Sequence, residues 1–217
     1  MNSEISLSLS LPGTDAGHFS PAGSTEQTKC SPGTVQPIKG MAMCDKCAAG
    51  TYQPEEGKQT CIACEPGAYC PEGASAPLPC KDGTYSSASY LKTESECMLT
   101  VKGHYAPTGS TIQTACSPGT VAPNASMGAC IRCTPGTYQT NEGEQECVAC
   151  EPGSYCPEGA SAPLPCEEGT YSNETDLGSA GDCMPTTPGF HAPTGSTHQT
   201  KCNPGTFQSV AGKAECD

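Results

Sequence analysis

Cysteine spacing constrains this chain more than any other feature. Its 18 cysteines fall into columns 86 residues apart. Cys30, Cys116 and Cys202 form one column, and Cys44, Cys130 and Cys216 another. The pairs Cys47/Cys133, Cys61/Cys147, Cys64/Cys150, Cys70/Cys156, Cys80/Cys166 and Cys97/Cys183 complete the set. Between Cys64 and Cys80 the sequence CEPGAYCPEGASAPLPC returns at Cys150–Cys166 with one change, Ala68 to Ser154. Residues 17–102 and 103–188 are therefore two full copies, identical at 51 of 86 aligned positions, and residues 189–217 begin a third. Residues 1–16 form a separate N-terminal segment, because Leu11 stands where Cys97 and Cys183 would recur.

Composition explains why cysteine has to carry the fold. Leu, Ile, Val and Phe make up about a tenth of the chain, there is no Trp, and the net charge is −13. Such a chain buries too little apolar surface to offset its conformational entropy, and without another constraint it is expected to stay disordered. Disulfides supply that constraint by restricting the unfolded chain, typically by ~2–4 kcal/mol per bridge. They persist in oxidising compartments, which predicts an extracellular or cell-surface location. The opening MNSEISLSLSLPG lacks a basic region and a continuous apolar stretch, so no signal peptide is read there. Ile5, Leu7, Leu9 and Leu11 alternate with polar residues and predict a short strand, with disorder the alternative for residues 1–16. No run approaches the ~18 apolar residues of a membrane span, so direct membrane insertion of this segment is not expected. The chain reads as a fragment or mature segment of a longer extracellular protein.

Each copy contains a shorter period. Gly17, Gly33, Gly50, Gly67, Gly83 and Gly103 are spaced by 16 to 20 residues, and many follow a proline. Pro-Gly fits the centre of a type II turn, where Pro presets φ and Gly supplies the positive φ. The following Thr-Tyr or Thr-Val starts a strand well. Each unit should be a turn, a short strand, a polar loop and a returning strand, with little or no helix. Seven of the eight Tyr sit two residues after such a glycine, as do Phe19 and Phe207. Packing over a disulfide is the expected role of these rings, and a row of exposed sugar-binding aromatics is the competing one.

Cysteine spacing also orders the bridges. Cys30–Cys44, Cys47–Cys61, Cys116–Cys130, Cys133–Cys147 and Cys202–Cys216 each enclose 13 residues. If Cys97 paired forward with Cys116, Cys30 would need a partner at position 11, which is Leu. Those five bridges are therefore predicted. Within the quartets Cys64/Cys70/Cys80/Cys97 and Cys150/Cys156/Cys166/Cys183 three pairings stay open. Analogy with the neighbouring units favours both Cys64–Cys80 and Cys80–Cys97, which exclude each other. The stretches CDKC and CIAC, or CIRC and CVAC, also have zinc-ribbon spacing. Zinc would use only four of eight cysteines per copy, and it would interrupt the Pro-Gly ladder.

The pattern Cys-x-Pro-Gly-Thr-Tyr, a polar loop with Gly, then Cys-x-x-Cys resembles the ephrin-receptor-like cysteine-rich repeat, a module in the style of tumour-necrosis-factor-receptor and EGF-like units. The resemblance covers residues 30–183 and part of the C-terminal stub. It implies disulfide-linked β-hairpin units stacked into an elongated tandem rod within a large secreted or membrane-anchored protein. Two departures stand out. The units at Gly17, Gly103 and Gly189 lack a leading Cys, and Cys70 and Cys156 add one inside the unit.

No catalytic constellation is legible, and no cofactor is expected. His18 and His104 recur, with His191 shifted by one place, but every Cys has a plausible bridge, so no Cys-His pair can be drawn. The acidic stretches Glu55-Glu56, Glu142/Glu144/Glu146 and Glu167-Glu168 lack the ligand spacing of an EF-hand loop. Charge is nonetheless uneven. Residues 17–102 hold 7 basic and 9 acidic residues, net −2, whereas residues 103–188 hold 1 and 10, net −9. Glu142, Glu144, Glu146, Glu167 and Glu168 thus form a candidate interaction face for a cation or a basic partner. Acidity argues against nucleic acid and anionic membranes. Asn124-Ala125-Ser126 and Asn173-Glu174-Thr175 are N-glycosylation acceptor motifs, in a number close to chance for this length. The expected function is a non-catalytic extracellular spacer or adhesive stalk, partnered by an extracellular protein or by itself. A ligand-binding receptor ectodomain and an intracellular zinc-binding array are the alternatives.

Overall fold

In the computed structural model the described residues are 13–217, so the alternating Ile5–Leu11 stretch lies outside them. Among the described residues the chain forms eleven antiparallel hairpins with strands of two residues each. The first pairs His18–Phe19 with Thr28–Lys29, and the eleventh pairs Phe190–His191 with Thr200–Lys201. Helix among the described residues is confined to two single 3₁₀ turns, Glu94–Glu96 and Ala180–Asp182. The fold is therefore a disulfide-rich tandem array of β-hairpins. It divides into two compact units. One holds the described residues up to Leu99 together with Ala106–Gln113, and the other holds Thr100–Tyr105 and Thr114–Asp217.

Local chemistry explains each hairpin. In Ser31-Pro32-Gly33-Thr34, the Thr34 amide donates to the Ser31 carbonyl at 3.0 Å, and Gly33 has φ +83°. That is a type II turn. The Thr34 hydroxyl donates to the same carbonyl at 2.7 Å, and Thr51, Thr84, Thr120, Thr137 and Thr170 each do likewise three residues back. The hairpin closes when the Cys47 amide donates to the Gly33 carbonyl at 2.9 Å. A two-stranded hairpin of this size is marginal alone in water, so its stability has to come from neighbours and bridges.

The neighbours are joined by three recurring main-chain bonds. In the first unit the turn residue Gly33 donates to the Gln53 carbonyl of the next hairpin at 2.7 Å. Gln36, just past the first strand, donates to Lys58 in the next loop at 3.1 Å. Gly57, in that loop, donates to the carbonyl of Cys30, which closes the hairpin two before its own, at 2.9 Å. The second unit repeats these as Gly119 to Gln139, Ala122 to Glu144 and Gly143 to Cys116, at 2.7, 3.1 and 2.8 Å. Within each unit, hairpins thus bond to those one and two steps on, as in tandem repeats that contact mainly their neighbours.

These bonds require a buried backbone with little side chain around it. The residue after each first strand is buried, and it is small or Gln: Ser20, Gln36, Gln53, Cys70, Ser86, Ala106, Ala122, Gln139, Cys156, Ser172 and Ala192, with Gln208 equivalent to Gln36 and Ala122 beyond the last hairpin. Gln53 spans its own loop, accepting from the Glu55 amide at 3.0 Å and donating to the Thr60 carbonyl at 2.7 Å. The closing position is a buried Cys in most hairpins, in the fifth and tenth it is Thr100 and Thr186, and Thr14 is the equivalent buried residue ahead of the first hairpin. Thr186 takes over there as a polar anchor, its hydroxyl accepting from the Gly212 and Lys213 amides at 3.1 Å each. The units that lack a leading Cys therefore still close. The signal for this was present in the sequence as a Thr three residues before Gly17, Gly103 and Gly189.

Candidate functional site

Every cysteine is spent on the scaffold. The structure pairs Cys30–Cys44, Cys47–Cys61, Cys116–Cys130, Cys133–Cys147 and Cys202–Cys216, each across 14 positions. In the quartets it pairs Cys64–Cys70 with Cys80–Cys97, and Cys150–Cys156 with Cys166–Cys183. The spacing had left that choice open. The geometry decides it by placing Cys70 directly after the strand Ala68–Tyr69, where its main chain bonds to the neighbouring hairpin and its side chain is buried beside Cys64. In the zinc-like stretch CDKC, Cys44 and Cys47 belong to successive bridges, so neither offers a thiolate. No free cysteine and no group of three His, Cys, Asp or Glu arranged for a metal occurs among the described residues.

The aromatics pack on this framework. Tyr69 lies against Cys80, Leu91 and Cys97, and Tyr155 lies against the equivalent Cys166, Leu177 and Cys183. Tyr138 covers Cys150, Cys156 and Ala160. Each ring also faces the first residue of its returning strand, as Tyr52 faces Ile62 and Tyr138 faces Val148. Both rings stay half-buried, which is packing across a hairpin rather than a free aromatic row.

The histidines are dispersed. His18 and His104 open their strands, with Nδ1 within 3.4 and 3.3 Å of the Ala16 and Lys102 carbonyls. His191 occupies the second strand position and lies 3.1 Å from the Ala214 carbonyl. None of these contacts includes a nucleophile or a carboxylate.

The acidic residues of the second copy stand where the first copy carries ion pairs. Lys58 binds Glu55 at 2.6 Å and Lys81 binds Glu94 at 2.5 Å. The corresponding residues 86 positions on are Glu144 and Glu167. Glu142, Glu146, Glu167 and Glu168 are exposed and Glu144 is half-buried. The Glu144 and Glu146 carbonyls serve the scaffold, accepting from the Ala122 amide and the Gln139 side chain. Their carboxylates, with those of Glu142, Glu167 and Glu168, form no ion pair among the described residues. Glu168 lines a cleft shared with Gln208, Lys213, Glu215 and Asp217. Asn124 and Asn173 are both exposed, in separate loops.

Residues 33–76 match the family described as tyrosine-protein kinase ephrin type A/B receptor-like. That family is a cysteine-rich receptor region and not a catalytic one. The matched span runs from the second hairpin into the fourth and contains Cys47–Cys61 and Cys64–Cys70 whole. No curated protein matches the chain. Residues 33–76 thus carry the likeness to an ephrin-receptor-like cysteine-rich module, and nine disulfides are the chemistry of an oxidising, extracellular setting. No helix among the described residues is long and apolar enough to cross a membrane.

Proposed function

We propose that this module is a non-catalytic spacer or adhesive stalk within a larger secreted or cell-surface protein. The observation that carries this reading is the recurrence of the same three main-chain bonds in both copies, while side chains change mostly where they are exposed. Of the buried positions after the first strands, only Ser20/Ala106 and Gln36/Ala122 differ between the two full copies. A module selected for reach needs its interior copied and its exterior merely soluble. Its partners are then an extracellular protein or another copy of the chain, held through exposed loops, and its acidity disfavours nucleic acid.

A ligand-binding ectodomain is the second reading. It is favoured by the replacement of Lys58 and Lys81 by Glu144 and Glu167, which puts carboxylates where the first copy has paired ammonium groups. The two readings separate in one binding experiment. The full chain and a variant with Glu142, Glu144, Glu146, Glu167 and Glu168 all changed to Gln are immobilised side by side, and extracellular extract is passed over both. A spacer captures the same proteins in both forms. Salt-sensitive capture lost only in the variant establishes the acidic face as a docking site, since opposed charges act mainly on association and are screened by salt.

A further inference from the structure

We propose that Asn124 is an N-linked glycan acceptor, and that the loop around it has been altered from its two counterparts to become one. This rests on the extracellular reading of the chain. The loops beginning at Gln36, Ala122 and Gln208 occupy the same place in the three copies, and their backbones are held alike. Gly40 donates to the Thr14 carbonyl at 2.9 Å, Ser126 to Thr100 at 3.0 Å, and Gly212 to Thr186 at 3.0 Å. All three residues adopt positive φ, at +73°, +61° and +73°. Glycine reaches that conformation freely, and an L-residue with a side chain does not. Ser126 is thus a strained residue at a place where the first and third copies have none.

Two further changes accompany it. Ile38 and Val210 become Asn124, and Gln36 and Gln208 become Ala122. The Gln side chains tie their loops internally, accepting from the Ile38 and Val210 amides at 3.0 and 3.1 Å. Ala122 cannot, so the loop at Asn124 loses that tie. Taken singly, none of these changes helps the fold. The changes to Asn124 and Ser126 create Asn124-Ala125-Ser126, with all three residues exposed. The Ser126 hydroxyl makes no hydrogen bond among the described residues, which leaves it open for the acceptor role that the motif requires. At the other motif the Thr175 hydroxyl donates to Asp176 at 3.0 Å, and two acidic residues, Glu174 and Asp176, flank it. Tyr90 and Asp176 hold the same slot of their loops at φ +64° and +63°, so the positive φ belongs to the scaffold, and it is the coincidence of Asn124, the lost Gln tie and the unbonded Ser126 hydroxyl that points to function at Asn124.

The chemistry is a group transfer from a lipid-diphosphate-linked oligosaccharide. Asn124 Nδ2 forms a bond to the anomeric carbon of the sugar and loses one proton. The bond from that carbon to the diphosphate oxygen breaks, and the lipid diphosphate leaves with the electron pair. A glycan here would cover a loop that lacks the Gln tie of its counterparts.

The test is to secrete the full chain from eukaryotic cells behind a cleavable leader. Intact mass is read with and without peptide-N-glycosidase, and with and without reductant, followed by peptide mapping. The expected product gains about 18 Da on reduction, as nine bridges require. It also loses an oligosaccharide on glycosidase treatment, with position 124 then read as Asp. Ser126→Gly should abolish that modification while raising the midpoint of thermal unfolding, and Ser126→Thr should keep it. Ile38→Asn with Gly40→Ser should transplant an acceptor into the first copy. Protein with all nine bridges and an unmodified Asn124 overturns the proposal while leaving the extracellular reading intact. Protein with free thiols overturns both.

Discussion

At the scale of single residues, glycine at the turn positions is selected twice over. Gly103 has φ +79°, and a Cβ built on it would overlap the Gly143 carbonyl oxygen two hairpins on. Gly189 is the equivalent residue of the third copy, with φ +84° and nothing within 4 Å of such a Cβ. The two sites therefore separate conformational strain from close approach. Gly189→Ala should cost about 1–2 kcal/mol, the usual cost of left-handed backbone for a residue with a side chain. Gly103→Ala should cost that and roughly a further 1–3 kcal/mol, because neighbouring backbone has to move. Urea midpoints of the two variants at equal m-value test this, and equal losses would show that the close approach is not tight. The Thr residues at 14, 100 and 186 carry the complementary lesson. They are fully buried without a bridge because the main-chain bonds, rather than the sulfur, define the position.

Among the elements, the 3₁₀ turns are where the longer loops find their order. The loop from Cys80 to Cys97 is bridged across 17 positions rather than 14 and buries Leu91. Glu96 secures it, accepting from the Lys92 amide at 2.5 Å and the Thr93 amide at 3.2 Å. Those two backbone bonds hold its carboxyl below the ordinary value of 4.5, with the Lys92 amide contributing most. A carboxyl whose folded pKa lies below its unfolded value stabilises the fold above the unfolded value. That contribution disappears as pH falls through the folded one. Stability should accordingly decline from about pH 4.5 downward. Glu96→Gln should remove part of that decline and leave the neutral-pH stability slightly reduced. Urea midpoints measured across the acid range check this, and an unchanged slope in the variant would place the acid sensitivity elsewhere. In the second copy Asp182 takes the same place, accepting from the Gly178 and Ser179 amides at 3.1 and 2.8 Å.

For the whole molecule, the disulfides outweigh every other stabiliser. Nine bridges at ~2–4 kcal/mol each sum to more than the roughly 5–15 kcal/mol net stability of an ordinary domain. The largest fully buried side chains are Gln36, Thr14, Thr100 and Thr186 rather than aliphatics, so no apolar core can hold the array without its bridges. Reduction and alkylation at neutral pH should therefore abolish amide-exchange protection throughout and leave no cooperative thermal transition. Residual protection in the Tyr69/Leu91 or Tyr155/Leu177 clusters would show that those small cores fold unaided.

The hairpins, the turn chemistry and the near absence of helix were legible in the sequence. Pro-Gly, Thr-Tyr and Cys report local conformations that tolerate little else, and the 86-residue offset exposes them by repetition. The ephrin-receptor-like character was legible for the same reason. Three things were decided only in three dimensions. Analogy with the neighbouring units favours Cys64–Cys80, and the structure corrects this, because Cys70, buried behind its strand, pairs with Cys64. Thr14, Thr100 and Thr186 form a visible column in the sequence, but their role as anchors emerges only where bonds from further along the chain converge on them. Ser126 looks like any serine until its positive φ shows that it stands in a glycine's place. Each depends on contacts between hairpins one and two steps apart, and a linear spacing carries no record of which backbone groups will meet.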